Sequence, residues 1–156
     1  MNALTNPRGG APVGHLVHLG SVEQAAVRLL RAWSNGADTL GEVIEIFRAD
    51  LGPTRAELIR DALCQLCELC CRHGRRPLMC HHTSCSCLGA DESCFAHFIA
   101  NATEGRREDA LLMATLLVRA DCVLHLLTHA ETLGRALSLY CVQAAPRPTE
   151  TPTILH

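Results

Sequence analysis

From residue 21 to residue 143, apolar residues recur every three or four positions, the spacing of helices that bury one face. Val22, Ala26, Leu29, Leu30 and Trp33 form a first stripe, closed by Gly36. Val43, Ile46, Phe47 and Leu51 form a second, ending at Gly52-Pro53. In the third, Ile59, Ala62, Leu63, Leu66, Leu69 and Cys70 cluster on one side, and Gly74 supplies a favoured helix stop. Phe95, Phe98, Ile99 and Ala102 make a fourth stripe before Gly105. A fifth helix over 106–119 contains LLMATLLV, so apolar around its circumference that burial at the centre is expected. Val123, Leu126, Ala130, Leu133 and Leu137 mark a last helix reaching about Val142, ahead of Pro146.

The punctuation fits these segments. Ser21 with Gln24, Thr39 with Glu42 and Thr54 with Glu57 have capping-box spacing, while Asp91 and Asp121 stand where N-caps are needed. No alternating strand pattern and no internal repeat is visible. The expected fold is therefore all-α, a compact bundle of five or six helices. Residues 21–143 form one domain with a Cys/His-rich loop at 75–90. Pro7, Gly9, Gly10, Pro12 and Gly14 suggest a flexible arm over 1–20, and the Pro-rich residues 144–156 a disordered tail.

Composition narrows the classes of function. A chain of 156 residues suits one domain that buries roughly 70% of its unfolded surface, so it needs no metal or disulfide merely to fold. The net charge is −2, and all 14 basic residues are arginine. That balance argues against nucleic acid or a membrane surface as partner, leaving a protein partner or a second copy. Arg72, Arg75 and Arg76 read as cations at a helix C-terminus, and Asp91-Glu92 as anions at a helix N-terminus. The first twenty residues lack the pattern of a signal peptide, and no apolar run is long enough to span a bilayer. A reducing cytoplasmic setting follows as the expectation.

In that setting the ten cysteines point to metal or thiol chemistry rather than structural disulfides. Cys80, His81, His82, Cys85 and Cys87 fall within eight loop residues that no core helix requires. Cys94 and His97 follow on the next helix. The candidate metal ligands are Cys80, His82, Cys85, Cys87, Cys94 and His97, with His81 able to substitute. Zinc is the first expectation, because it takes four thiolate or imidazole donors; copper(I) and an iron–sulfur cluster are the alternatives. Two further strips stand beside apolar faces. Cys64, Cys67 and Cys71 lie within about 60° of one another on the helical wheel, as do Cys122, His125 and His129. For both strips, packing is the favoured reading and a ligand role the alternative.

Several motifs fail. Cys64-x2-Cys67-x2-Cys70 opens like a ferredoxin run, but Gly74 stands where the fourth cysteine belongs. Cys85 and Cys87 are too close for a zinc-finger knuckle, and C-x-x-C here lacks a βαβ context. No Walker A, G-x-S-x-G or G-x-G-x-x-G occurs. No set of nucleophile, base and orienting residue is readable, so a binding module is expected before an enzyme. The competing expectations are a metal-free helical adaptor and a thiol-redox or copper-handling protein.

Overall fold

The computed structural model describes residues 8–145. Six α-helices lie among them: α1 (Ser21–Ser34), α2 (Ala37–Leu51), α3 (Pro53–His73), α4 (Ala90–Thr103), α5 (Arg107–Leu117) and α6 (Val123–Ala144). The all-α bundle expected from the periodicity is the fold observed. No helix among the described residues is long and apolar enough to cross a membrane. Most of the C-terminal tail, residues 146–156, and the first seven residues lie outside the described chain.

The helices pack as a layered bundle. α3 lies along α6 and α2, while α4 packs on α1, α5 and α6. Ile59, Leu63 and Leu66 of α3, Phe95, Phe98 and Ile99 of α4, and Leu126, Leu133 and Leu137 of α6 share one core. α6 comes close to α4 because residue 134 is glycine: a β-carbon there would run into the Thr103 hydroxyl.

The centre of the bundle is α4, not the aliphatic α5 expected there. α5 buries only Ala110, Ala114 and Leu117, and its Leu112 and Leu116 face solvent at 67% and 64% exposure. A one-dimensional stretch of leucines reports low polarity, not depth. α4 reaches the centre because Ala96, Ala100 and Ala102 admit close neighbours on several sides.

Helix starts also differ from the capping-box reading. α1, α2 and α3 begin after Gly20, Gly36 and Gly52, and none has a side-chain cap bond. Gly36 and Gly52, with φ of 115° and 87°, turn the chain sharply between consecutive helices, a conformation open to glycine. Ser21, Thr39 and Thr54 thus fall inside the first turns. Asp121 lies in a 3₁₀ turn, Ala120–Cys122, that leads into α6.

A small sheet joins the ends of the chain's first segment and its loop. β1 (Pro12–His15) pairs antiparallel with β2 (Cys87–Gly89), with His15 opposite Cys87. The Leu16 N–H then donates to the Ser86 carbonyl, and Leu16 is buried with Leu88, Val27 and Ala96. From Arg8 onward the arm is therefore seated on the bundle. Strands this short, in Pro- and Gly-containing segments, leave no alternating pattern to read.

Candidate reactive-thiol site

The loop between α3 and α4 carries few large apolar side chains, so its position must come from polar bonds. Two adjacent carboxylates at the start of α4 supply them. Glu92, at the third helical position, accepts the Gly89 N–H at 2.9 Å, the inward half of a capping box. It is 0% exposed, and it faces Arg31 of α1, which is 1% exposed. The pair is bidentate: Arg31 Nε to Glu92 Oε1 is 2.6 Å and Nη2 to Oε2 is 2.9 Å. The rest of the guanidinium holds the loop. Nη1 donates to the Cys85 carbonyl and Nη2 to the Cys87 carbonyl, both at 2.7 Å. Glu92 Oε1 also accepts the His81 N–H at 2.8 Å.

Burial alone pushes the Glu92 pKa up. The Arg31 side chain and the N–H groups of Gly89 and His81 outweigh it, and the carboxyl sits below its ordinary range. Arg31 is raised, first by its bond to Glu92 and against the opposing effect of burial. Both remain charged inside the fold.

Asp91 repeats the arrangement one residue earlier. It accepts both terminal nitrogens of Arg76 and, at 2.8 Å, the Met79 N–H. Gly9 of the arm lies directly on this pair; a β-carbon there would occupy the space of the Asp91 carboxylate and the Arg76 guanidinium. Asp91, Glu92 and Arg76 are thus more than charges at helix ends. They are the fasteners of the loop and the arm.

This frame sets the geometry around Cys85. Its N–H closes a turn onto the His82 carbonyl at 2.9 Å. Its sulfur lies 3.5 Å from His81 Nδ1. The other ring nitrogen, Nε2, is 2.8 Å from the Gly10 carbonyl oxygen. A carbonyl only accepts, so Nε2 carries the hydrogen and, in the neutral ring, Nδ1 is the free acceptor. The Cys85 thiol therefore donates to Nδ1. The ring rests over Gly89, where a β-carbon would come within 3.0 Å of His81 Cδ2.

Cys85 is pulled below the usual thiol range, first by the His81 bond, then by the Cys87 N–H, with a smaller contribution from the Cys87 side chain. His81 is raised, first by Cys85 and then by the Gly10 carbonyl. The site is a half-buried thiol with a base on one side and a second thiol two residues on.

The six residues expected to bind metal are not brought together as one set. Burial pushes the Cys80 thiol up to about 11, and Cys80 lies near Ser34 of α1. His82 is exposed, with Nδ1 2.8 Å from the Ser84 hydroxyl. Cys94 is half-buried beside Arg76 and Asp91, its thiol raised by burial, and His97 points to solvent. Only Cys85 and Cys87 stay together, joined by His81. Among the described residues, no three His, Cys, Asp or Glu side chains form a group that could hold a metal ion.

The helical strips divide similarly. Cys67 and Cys70 are buried core residues, whereas Cys64 is half-buried and Cys71 exposed. His125 is exposed, and His129 is lowered by burial and by its neighbour His125. All ten cysteines are free thiols.

Sequence reasoning passed over Arg31, Glu92 and the Gly10 carbonyl as parts of this site. Arg31 left one signal: in LLRAW an arginine interrupts an apolar run, and α1 buries every residue from Leu29 to Ala32. A buried cation demands a buried anion. No protein-family model, curated protein or solved structure matches this chain.

Proposed function

We propose that this chain is a redox-active thiol protein in which Cys85 attacks an exposed disulfide of a partner and Cys87 resolves the adduct. The observation that carries this reading is the chain of contacts from the Cys85 sulfur through His81 to the Gly10 carbonyl. It has the form of nucleophile, base and orienting group. Lowered thiol pKa, partial exposure and a nearby cation favour thiolate attack, and the buried Arg31 lies beneath the same loop.

Cys85 passes its proton to His81 Nδ1, and the thiolate attacks one sulfur of the partner's disulfide. The S–S bond breaks, and the leaving sulfur takes up a proton. The Cys87 thiol then loses a proton and attacks the Cys85 sulfur, releasing the second partner thiol. The partner gains two electrons and two protons, while Cys85 and Cys87 end as one disulfide. That bond spans a single residue, and strained, accessible disulfides of this kind are the labile ones, readily reduced again in a cytoplasmic setting.

Competitive alkylation with iodoacetamide at neutral pH, read by peptide mass spectrometry, tests the proposal. Cys85 should label first of the ten thiols, and well ahead of the exposed Cys71. Oxidised glutathione should yield a Cys85–Cys87 disulfide, and C87S should trap glutathione on Cys85. Labelling of Cys85 no faster than Cys71 would overturn the reading.

A second reading draws on the same three side chains. A neutral imidazole with its far N–H fixed on a carbonyl is also how zinc-binding histidines are oriented. His81, Cys85 and Cys87 do not form a metal-holding group as the loop stands, so zinc would require the loop to rearrange and a fourth donor, which His82 could supply by leaving Ser84. One tightly bound zinc per chain, lost in C85S and shielding Cys85 from iodoacetamide, would favour this reading over the redox one.

A further inference from the structure

The loop also roofs a cavity of about 420 Å³, distinct from the thiol site and within the size range of small-molecule pockets. Leu30 and Trp33 of α1 and Cys67 and Cys70 of α3 form its walls, and Pro77 and Leu78 close it from above. The thiols contribute as apolar surface. Burial raises Cys67 strongly and pushes Cys70 up to about 12, so both are neutral. Nothing in this wall offers a metal its thiolates.

The charge at the mouth is one-sided. The residues lining the cavity include Arg75 and Arg76 and no carboxylate. Arg76 is committed to Asp91. Arg75 donates through Nε to the Thr115 carbonyl and, among the described residues, pairs with no acid. Its backbone is fixed by the Arg75 N–H bond to the Leu117 carbonyl at 3.2 Å. A positioned guanidinium with spare donors beside a mostly apolar chamber suits a ligand with an apolar body and one anionic end.

We propose that this cavity binds an apolar monocarboxylate of medium chain length, its tail against Leu30, Trp33 and the neutral thiols and its carboxylate on Arg75. The proposal does not rest on the thiol reading and fails or stands separately from it. Trp33 is the chain's one tryptophan, so the cavity has its own fluorescent reporter.

The test titrates the full chain with decanoate, decanol and acetate while following Trp33 emission. Decanoate should give a saturable change, decanol should bind about tenfold more weakly for want of a charge-assisted bond, and acetate should give none. R75Q, at an exposed position, should bring decanoate down to the affinity of decanol. L78E should abolish decanoate binding by placing a like charge in the roof; circular dichroism checks its fold, and R75Q carries the test if it unfolds. A response linear in decanoate, or decanoate and decanol binding equally with R75Q silent, would overturn the proposal.

Discussion

Cys70 on α3 and Cys85 on the following loop are the same residue in opposite surroundings. Around Cys70 the chain places leucines and other thiols, and burial holds its proton in place. Around Cys85 it places an imidazole and a backbone N–H, which favour the thiolate, and, beneath the loop, a guanidinium that holds the Cys85 carbonyl. Helical packing makes the first environment almost without specification, because any small apolar side chain fills that space. The second requires a loop held in one conformation by bonds from four separate segments: the arm, α1, the loop itself and the start of α4. The core is built in one region and the thiol–imidazole contact in the other, yet both depend on how α4 is seated.

The harshest way to break the difference is to cut the loop from its anchor. Arg31→Met leaves the Glu92 carboxylate buried without its cation and frees the carbonyls of Cys85 and Cys87. Removing one member of a buried ion pair costs about 3–5 kcal/mol. Urea denaturation should show a loss of that size, and Cys85 should alkylate at the rate of Cys71. If stability falls but Cys85 keeps its advantage, the guanidinium holds the fold and not the thiol's conformation.

Acid should strike the same anchor without mutation. Glu92 has a folded pKa below its ordinary value of 4.5, so the unfolded chain binds more protons than the folded one between those values. Its stabilisation is complete above about 4.5 and is lost as pH falls through the lowered value. Denaturation midpoints measured from pH 7 downward should hold until that window and then drop. E92Q, already weakened, should lack this part of the drop.

Much of the bundle is legible along the chain because each helix needs only a stripe of apolar residues and a stop. The stripes at Ile59, Leu63, Leu66 and at Leu126, Leu133, Leu137 are core residues in the structure. Depth is not legible in the same way. LLMATLLV was expected at the centre, yet Leu112 and Leu116 face solvent, because periodicity carries no information about which helix lies outermost. The loop cysteines could be recognised as unnecessary for packing, and Cys85-Ser86-Cys87 is where the thiol–imidazole contact lies. Its partners could not be found from spacing. Arg31 is more than fifty residues away, and Gly10 contributes only a carbonyl, which no side-chain pattern reports. His81 stood in the sequence as a substitute metal donor, with nothing to single it out from His82.

Two substitutions should separate the two kinds of thiol. Cys70→Ser buries a hydroxyl among apolar side chains and should cost about 1–3 kcal/mol in urea denaturation. Cys85 alkylation should stay unchanged. His81→Gln should do the reverse. It removes the base that lowers the Cys85 pKa, and alkylation at pH 7 should fall about tenfold, as for a one-unit rise in thiol pKa. Stability should move by less than about 1 kcal/mol, since the ring is only half-buried and belongs to no core cluster. If both variants lose stability and reactivity together, the two regions form one cooperative unit and the contrast between them dissolves.

The finest probe is Gly89→Ala. The backbone there has φ of −79° and ψ of 160°, which alanine adopts freely, so any effect must come from the methyl group. That methyl would lie 3.0 Å from His81 Cδ2 and 3.1 Å from Nε2, so the ring has to give by a few tenths of an ångström. Moving it lengthens the bond to the Gly10 carbonyl or tilts Nδ1 away from the Cys85 sulfur. Losing a glycine also restricts the unfolded chain, worth about 0.4–1 kcal/mol in favour of folding. Stability should therefore change little, while the alkylation rate of Cys85 drops about two- to threefold, a modest share of what His81→Gln removes. An unchanged rate would mean that the imidazole activates Cys85 from a range of positions. The ordering of the loop by Arg31, rather than the fit of one ring over one glycine, would then be what distinguishes Cys85 from Cys70.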